Sequence, residues 1–288
     1  MNFTRRTVFD STLLRIHEVR TQADTAAPGD LDTTAVDQLV LPVAGVFARH
    51  DGPMQCVVAN PNHALFFRAG QPYRISYPGC IGDVVLVFDF SPAVLAQAMG
   101  ETVAADGLRA PWITTDGLLP PAALLARSLL WRRLLSAAPA ALAIEEAALG
   151  LLAEALKAVC TDSRREARAR RADTARRRRQ QVDIVREAIS VSPEYEWTLD
   201  ALARLAFTTP CHLSRLFSHE VGMSIHQYLL RARLAKGLEA VAATGADLTT
   251  VALDAGFASH SHFTASFRAL FGLTPTQWRA ASSKLAIA

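Results

Sequence analysis

From residue 182 onward the chain repeats one local pattern, and this pattern constrains the fold more than any other feature. Each repeat contains a helix-capping residue, a short helix, a turn, a second cap, a second helix and a glycine. In the first repeat Thr198 and Thr209 are the caps, and the helix that starts at Pro210 ends at Gly222. Hydroxyl side chains satisfy free N–H groups where helices start, and glycine readily adopts the left-handed conformation where they end. The pattern predicts helix, short turn, helix.

The second repeat follows after a longer helix, predicted over about Ile225–Ala243 with Ser224 as its cap. A helix over Leu248–Ala255 leads into a turn at Gly256. Ser259 then caps a second helix, which ends at Gly272. A helix of about 20 residues is about 30 Å long. That length is close to one turn of B-DNA, so the second helix of each unit is predicted to reach one of two successive major grooves.

Both units need a small apolar core. In the first unit the core is predicted to contain Leu202, Leu205, Leu213, Leu216 and Phe217. Elsewhere in the helical region, the large aromatic residues predicted to be core are Phe257, Phe263, Phe267 and Trp278.

With these motifs, residues 182–282 resemble the DNA-binding domain of the AraC/XylS family. The resemblance covers "LARLAFTTPCHLSRLFSHEVGMSIHQYLLRARLAKGLEAV" and "LTTVALDAGFASHSHFTASFRALFGLTPTQWR". The most specific positions lie in the second stretch at fixed spacing: Ala255, Gly256, Phe257, Ser259, His262, Phe263, Ser266, Phe267, Arg268, Phe271, Gly272, Thr274, Pro275 and Arg279.

The resemblance implies a sequence-specific activator or repressor rather than an enzyme, controlled by a small-molecule effector and working with RNA polymerase on double-stranded DNA. It implies no cofactor. The positions that it implies for contact with bases are Cys211, Ser214, Arg215, Ser261, His262 and Ala265. Candidates for contact with the DNA backbone are Thr209, His219, Ser259 and Arg268.

Two residues depart from the family pattern. Phe207 occupies the turn of the first unit, where the family often has glycine, so this turn lacks the residue that adopts positive φ at little cost. Ala265 occupies a position where many members carry a long polar side chain. This second departure lowers the base specificity expected of the second unit.

Residues 8–90 are predicted to form strands. Short runs rich in Val, Phe, Tyr and Leu alternate with turn signals such as Asn60-Pro61-Asn62, which is typical of a small β-roll or barrel. The turn at residues 78–83 and the strand after it resemble those of cupin-like sensor domains. The predicted fold class is therefore α+β with two domains. The side chains predicted to line an effector pocket are Phe47, His50, Phe67, Tyr73 and Tyr77.

Two helices rich in Ala and Leu are predicted next, over Leu118–Leu135 and Ala140–Val159. Leu142, Leu149, Leu152 and Leu156 are predicted to form one wide apolar face of the second helix. Two alternatives are open for these helices, because such a face can pack on its own domain or pair with a second copy in a homodimer.

Positive charge is concentrated between the two regions. The whole chain has a net charge of +3, whereas residues 162–181 contain nine arginines against three acidic residues, a net charge of +6. Their densest cluster is Arg176, Arg177, Arg178 and Arg179. This Arg-rich linker is predicted to separate an effector-binding or dimerisation domain (1–161) from the DNA-binding domain (182–288). These arginines either contact DNA phosphates or belong to a solvated connector between the two domains.

Several classes of protein do not fit the sequence. No apolar run reaches the roughly 20 residues of a membrane span, and the first residues lack the apolar core of a signal peptide, so a cytoplasmic protein is expected. The four cysteines form no C-x-x-C pair, and His50 and His63 lack the spacing of metal ligands. A cupin-type metal oxygenase or isomerase would need a metal triad that is not visible. A protein-interaction module stays open as an alternative.

Overall fold

The computed structural model describes residues 2–52, 56–106, 116–136, 140–169, 173–243 and 245–287. The side chains of residues 101–106, 161–169, 173–176 and 284–287 are not described. The N-terminal region consists of antiparallel sheet and helices, and the C-terminal region is helical. This arrangement confirms the predicted fold class, α+β with two domains. No helix among the described residues combines the length and apolar character that crossing a membrane requires.

The strands of the described N-terminal region build two antiparallel sheets. In chain order the strands are β1 (Asn2–Asp10), β2 (Leu14–Gln22), β3 (Gln38–Gly45), β4 (Phe47–His50), β5 (Cys56–Ala59), β6 (His63–Phe67), β7 (Arg74–Ser76), β8 (Asp83–Phe90) and β9 (Asp116–Leu118). The larger sheet has the order β1-β2-β8-β3-β6-β9, and the smaller one has the order β5-β4-β7.

An apolar cluster joins the two sheets. Phe47 and Tyr77 pack in it against Leu65, Phe67 and Val87 from strands of the larger sheet. Burying alternate side chains between two sheets is the main source of stability in such a roll. The predicted β-roll is confirmed, and its interior is filled with side chains.

The helices occupy the rest of the described chain. In chain order they are α1 (Pro92–Asp106), α2 (Pro121–Leu134), α3 (Ala141–Ala169), α4 (Asp173–Val191), α5 (Leu199–Leu205), α6 (Pro210–Val221), α7 (Ile225–Ala242), α8 (Leu248–Asp254), α9 (His260–Phe271) and α10 (Pro275–Ile287).

Helix α1 is absent from the sequence-based prediction. Its start carries a recognisable signal, because the hydroxyl of Ser91 accepts a hydrogen bond from the backbone N–H of Val94 at 3.4 Å and Pro92 is the first helical residue. Leu95 then packs into the main core. The sequence does not predict α1 because apolar residues recur at helical spacing over a long stretch only from Leu118 onward.

The apolar face of α3 is not the one predicted. Leu152 and Leu156 are buried, whereas Leu142 and Leu149 are 68% and 36% exposed. The buried face is centred on Ala148 and Leu152 and continues along the helix at three- and four-residue spacing. Leu142 and Leu149 lie to one side of that face, which explains their exposure.

The predicted helix caps of the C-terminal region are confirmed. The side chains of Thr198, Thr209 and Ser259 each accept a hydrogen bond from the backbone N–H three residues later. Ser224 forms a reciprocal capping box with Gln227 at the start of α7. Helices α6 and α9 both end at a glycine in the left-handed conformation, Gly222 and Gly272.

The predicted core of the first unit needs one correction. Leu202, Leu213, Leu216 and Phe217 are buried, but Leu205 is 43% exposed. Leu205 is the last residue of α5, where the inward positions are Leu202, Ala203 and Ala206. The predicted aromatic core residues are all buried, namely Phe217, Phe257, Phe263, Phe267 and Trp278.

The turns of the two units share a backbone conformation but differ in their residue. Phe207 has φ of 50° and Gly256 has φ of 87°. For a residue with a side chain, this conformation costs roughly 1–2 kcal/mol. A Cβ atom on Gly256 would lie 2.6 Å from Cα of Glu194, so the loop between α4 and α5 closes over the second turn.

We predict that Gly256→Ala destabilises the fold more than Gly272→Ala does. Both substitutions force a Cβ into the left-handed region, at a cost of about 1–2 kcal/mol. Gly272 has open space around it, whereas a Cβ on Gly256 would overlap the backbone of Glu194. The free energy of unfolding from urea titrations should fall by at least about 1 kcal/mol more for Gly256→Ala. Equal losses would show that the close approach to Glu194 costs nothing.

Candidate nucleic-acid interface

Helix α6 presents the first set of candidate base-contacting side chains. Leu213, Leu216 and Phe217 point into the core, and the intervening residues are exposed. The exposed residues include the predicted base-contacting positions Cys211, Ser214 and Arg215. They also include His219, a predicted contact to the DNA backbone. They recur at three- and four-residue spacing, so they share one face of the helix.

Helix α9 is built in the same way. Phe263, Phe267 and Phe271 fix its inner face, and the rings of Phe263 and Phe267 meet edge-on with centroids 5.5 Å apart. The predicted contact residues of this helix are exposed: Ser261, His262, Ala265 and Arg268. The ring of His262 also packs edge-on against Phe257, with centroids 5.3 Å apart.

The two backbone candidates at the helix starts already have a structural role. The hydroxyl oxygen of Thr209 accepts a hydrogen bond from the backbone N–H of His212 at 3.4 Å, and that of Ser259 accepts one from His262 at 3.2 Å. A hydroxyl that accepts one hydrogen bond keeps its own hydrogen for donation. Both residues are therefore still able to donate to a phosphate oxygen.

Helix α7 holds the two units at a fixed separation. It has 18 residues, which corresponds to about 27 Å. Tyr228 near its start meets the ring of Phe217 of the first unit at 5.5 Å. Further along, Gly237 lies against the ring of Phe263, leaving no room for a Cβ, and the indole N–H of Trp278 donates to the carbonyl of Leu238. Each unit is thus packed on its own part of α7.

Arg279 has a structural role in the second unit. Its guanidinium donates to the carbonyl of Val241 at 2.9 Å and to that of Ala246 at 2.6 Å. These bonds satisfy carbonyls at and just after the end of α7. The resemblance had singled out Arg279, and its hydrogen bonds give a reason for arginine at this position.

The arginine cluster lies on a helix that is tied to the first unit. Arg177, Arg178 and Arg179 of α4 are exposed, whereas the side chain of Arg176 lies outside the described residues. The buried Gln181 follows, and its amide N–H donates to the carbonyl of Ala206 at 3.0 Å. The cluster therefore lies within about one helical turn of the contact between α4 and the first helix-turn-helix unit.

Comparison with known proteins agrees with this geometry. Residues 202–281 match a family model described as a helix-turn-helix domain. The C-terminal region is a DNA-binding domain of the AraC/XylS type. The matched segment of the AraC-type domain starts in α5 and ends in α10, so it contains both units and the helix between them.

The relatives are transcription regulators. The HTH-type transcriptional regulator MtrA of Neisseria gonorrhoeae is 34% identical over 87 residues, which is 30% of this chain and 29% of MtrA. The urease operon transcriptional activator of Escherichia coli is 32% identical over 91 residues, covering 32% of this chain and 30% of the activator. The matches extend over about a third of the length of these relatives.

A solved structure is also similar to part of the chain. The DNA-binding transcriptional dual regulator from Escherichia coli K-12 is 28% identical and covers 36% of this chain and 94% of that chain, with a TM-score of 0.34.

The predicted effector-pocket residues lie mostly in the filled interior of the roll. Phe47, Phe67 and Tyr77 are buried, and Tyr73 packs edge-on against Phe67 with centroids 4.8 Å apart. His50 is directed elsewhere, with its Nε2 2.8 Å from the hydroxyl of Ser76. A cavity beside Phe67 and Tyr73 has room for about one water molecule.

Within the described ranges, no three His, Cys, Asp or Glu side chains lie close enough together to hold a metal ion. His63, which the sequence analysis weighed as a ligand, is instead fully buried in a hydrogen-bonded network.

This network joins the sheet region to the AraC-type domain through the turn between β5 and β6. The side-chain amide of Asn60 donates to the hydroxyl of Ser190 on α4 at 2.7 Å. Asn62 accepts a hydrogen bond from Nε of Arg231 on α7 at 3.0 Å. Both asparagines are buried. The turn thereby contacts the helix that precedes the first unit and the helix that links the two units.

His63 completes this network in its neutral form. Its Nε2 is 2.8 Å from a guanidinium nitrogen of Arg186, which only donates, so Nε2 accepts and the proton resides on Nδ1. Nδ1 lies 3.1 Å from the side-chain oxygen of Asn60, to which it donates. Burial, reinforced by the charge of Arg186, lowers the pKa of His63 well below its usual range.

A second contact, made by α2, also joins the sheet region to the AraC-type domain. The guanidinium of Arg127 is fully buried and donates to the carbonyls of Pro42, at 2.6 Å, and Pro61. Glu239 of α7 lies 3.5 Å away and also accepts from the hydroxyl of Ser128 at 2.9 Å. Apolar packing of α2 surrounds this contact, because Leu130, Trp131 and Leu134 belong to the same core cluster as Phe271 and Trp278.

The sequence pattern does not predict this junction. It predicts a turn at Asn60-Pro61-Asn62, excludes His63 as a metal ligand and indicates no role for Arg127. A buried arginine inside an apolar helix such as α2 is an unusual feature of sequence, because charged residues are rarely buried without a partner. Its partners, however, are distant in the chain, with Glu239 the furthest.

We predict that protonation of His63 destabilises the fold below about pH 6.5. The unfolded chain binds the proton in this range and the folded chain does not, since the pKa of the folded His63 is lowered. This contribution to the free energy of unfolding is complete above pH 6.5 and falls by up to about 1.4 kcal/mol for each pH unit below it. Urea unfolding between pH 5 and 7.5 should show a steeper slope in the natural chain than in His63→Gln, where the lowered pKa values of His17 and His50 still contribute.

Asp83 acts in the opposite direction and needs its own control. Burial raises the pKa of Asp83 to about 7, so the folded chain retains this proton and gains stability as the pH falls from 7. The difference between the natural chain and His63→Gln should therefore be measured again in an Asp83→Asn background. If the free energy of unfolding depends on pH in the same way in the natural chain and in His63→Gln, the predicted neutral state of His63 is refuted.

Proposed function

We propose that this chain is a sequence-specific DNA-binding transcription regulator of the AraC/XylS type. The observation that carries the proposal is the pair of exposed helix faces on α6 and α9, each capped at its start and each packed on the single helix α7. Exposed polar side chains on such helices can reach base edges in the major groove. The match of residues 202–281 to the helix-turn-helix model supports the proposal.

The proposed reading positions differ between the units. On α6 they are Cys211, Ser214 and Arg215, of which Arg215 can form two hydrogen bonds with a guanine. On α9 they are Ser261, His262 and Ala265, and the short Ala265 offers only a methyl group. We therefore assign most of the direct base readout to α6, and to Arg268, His219, Thr209 and Ser259 the role of contacting the DNA backbone.

We further propose that the N-terminal region binds a small-molecule effector and controls the DNA-binding units. The domains would be residues 1–161 and 182–288, joined by the Arg-rich segment 162–181. The buried turn at residues 60–63 supports such control, because any shift of the roll would disturb its hydrogen bonds to α4 and α7. The filled roll requires that an effector displaces side chains such as Phe67 and Tyr73 or binds at another place.

Further partners belong to the same proposal. The regulator would act in the cytoplasm with RNA polymerase, as activator or repressor. A homodimer is a further part of the proposal, and the exposed Leu142 and Leu149 on α3 are the side chains that we assign to its contact.

The proposal predicts the outcome of selecting random duplex DNA with the purified full chain. The selected sequences should share two elements about one helical turn apart. With Arg215→Ala, affinity for the selected duplex should fall by about 1–3 kcal/mol, and the base preference should relax in one element only. Arg15→Ala is the matched control, since Arg15 is an exposed arginine on the sheet paired with Asp10. No enrichment by the natural chain would refute the proposed function.

The arginine cluster gives a separate prediction. Replacing Arg176, Arg177, Arg178 and Arg179 with Gln should flatten the dependence of log affinity on log salt concentration, by about 0.9 for each phosphate that they neutralise. Base preference in the selection should stay unchanged, because phosphate contacts carry no sequence information. An unchanged salt slope would identify the segment as a solvated connector.

A further inference from the structure

Phe207 combines two unfavourable features at one position. Its side chain is 82% exposed, and its backbone has φ of 50°, a conformation that aromatic residues rarely adopt. Neither feature is needed to complete the apolar core of the first unit, which is made by residues such as Leu202 and Phe217. Strained residues that the fold does not require are concentrated at functional sites.

The second unit shows what the turn needs for folding alone. Gly256 occupies the corresponding turn, where the backbone of Glu194 and the guanidinium of Arg233 leave no room for a side chain. The first turn is open to solvent at Phe207. A glycine would meet the backbone requirement there as well, so the phenyl ring calls for an explanation outside the fold.

The position of Phe207 is defined by backbone hydrogen bonds. Its N–H donates to the carbonyl of Arg204 at 3.1 Å, and the N–H of Thr208 donates to the carbonyl of Ala203 at 2.9 Å. Thr209 then caps α6. Phe207 is therefore at the N-terminal end of α6, which is the end of a recognition helix that approaches base edges.

Positive charge lies beside the same turn. The carbonyl of Ala206, the residue before Phe207, accepts a hydrogen bond from Gln181 of α4. Arg177 and Arg178 precede Gln181 by four and three residues, which places them on the same side of α4 and one turn away. Both are exposed. An exposed phenyl ring with arginines on one side and a recognition helix on the other matches the chemistry of a nucleic-acid surface.

We propose that Phe207 is a DNA-contacting residue, with its ring against an apolar surface of the duplex beside the element that α6 reads. Two DNA surfaces have this chemistry, the C5-methyl group of thymine and the deoxyribose. Arg177 and Arg178 neutralise phosphates next to it. This inference rests on the proposed function, because it assumes that α6 faces DNA.

The test is Phe207→Gly in the full chain, measured on the duplex that the natural chain selects from random DNA. Affinity should fall about tenfold, as expected for the loss of one apolar contact to a base or sugar. The slope of log affinity against log salt should not change, since no charge is removed. The melting temperature of the protein should stay the same or rise, because glycine relieves the backbone strain at position 207.

Further variants separate a contact from a structural role. Phe207→Trp should restore most of the affinity, since it returns an aromatic ring. Phe3→Ala is the matched control, because it removes a similarly exposed phenyl ring from β1 and should leave affinity unchanged. Unchanged affinity of Phe207→Gly would overturn the inference and would indicate a protein partner for the ring. Selection of no DNA by the natural chain is a different result, which would overturn the proposed function itself.

The two DNA surfaces are distinguished by replacing each thymine of the selected duplex with deoxyuridine. If Phe207 contacts a methyl group, one replacement weakens binding by the natural chain but not by Phe207→Gly. If it contacts deoxyribose, the two proteins respond equally to every replacement while the affinity difference between them persists.

Discussion

The buried guanidinium of Arg127 is the interaction on which the arrangement of the whole chain depends. It lies where β3, the turn before β6 and α7 meet, and it contacts Pro42, Pro61 and Glu239. Removing a partner from a buried charge costs about 3–5 kcal/mol because the remaining charge is left uncompensated, so separating these three segments would leave Arg127 without its partners. Because α7 also carries both helix-turn-helix units, the sheet region and the DNA-binding units share one anchoring point.

A consequence is that the two regions are not independent bodies on a flexible tether. The apolar core that covers α2 is continuous with that of the second unit, and the turn at residues 60–63 reaches the first unit through α4. The hydrogen bonds of a buried polar network strengthen one another. A displacement at one edge of the roll would therefore be felt at several hydrogen bonds at once, and this makes the junction suited to an all-or-none response.

The sequence predicted those features that depend on neighbours in the chain. Caps such as Thr209 and Ser259 and the glycine ends of α6 and α9 follow from local hydrogen bonding, and they were predicted correctly. Leu205 was placed wrongly because helical periodicity does not show which side of a short helix is covered. The contacts of Arg127 and His63 could not be predicted, since they join segments up to 123 residues apart in the case of His63 and Arg186. The pocket residues depend on strand register, which a sequence pattern does not fix.

Helix α7 sets a limit on how the proposed regulator can change during evolution. Each residue added to an α-helix advances its far end by 1.5 Å and rotates it by about 100°. A single insertion between Tyr228 and Gly237 would therefore turn the second unit, which packs on α7 through Gly237 and Phe263, away from the side that α6 faces. Exposed positions such as Ser214 and Arg215 can be exchanged one at a time without such damage. New binding sites would thus arise with altered bases at an inherited spacing.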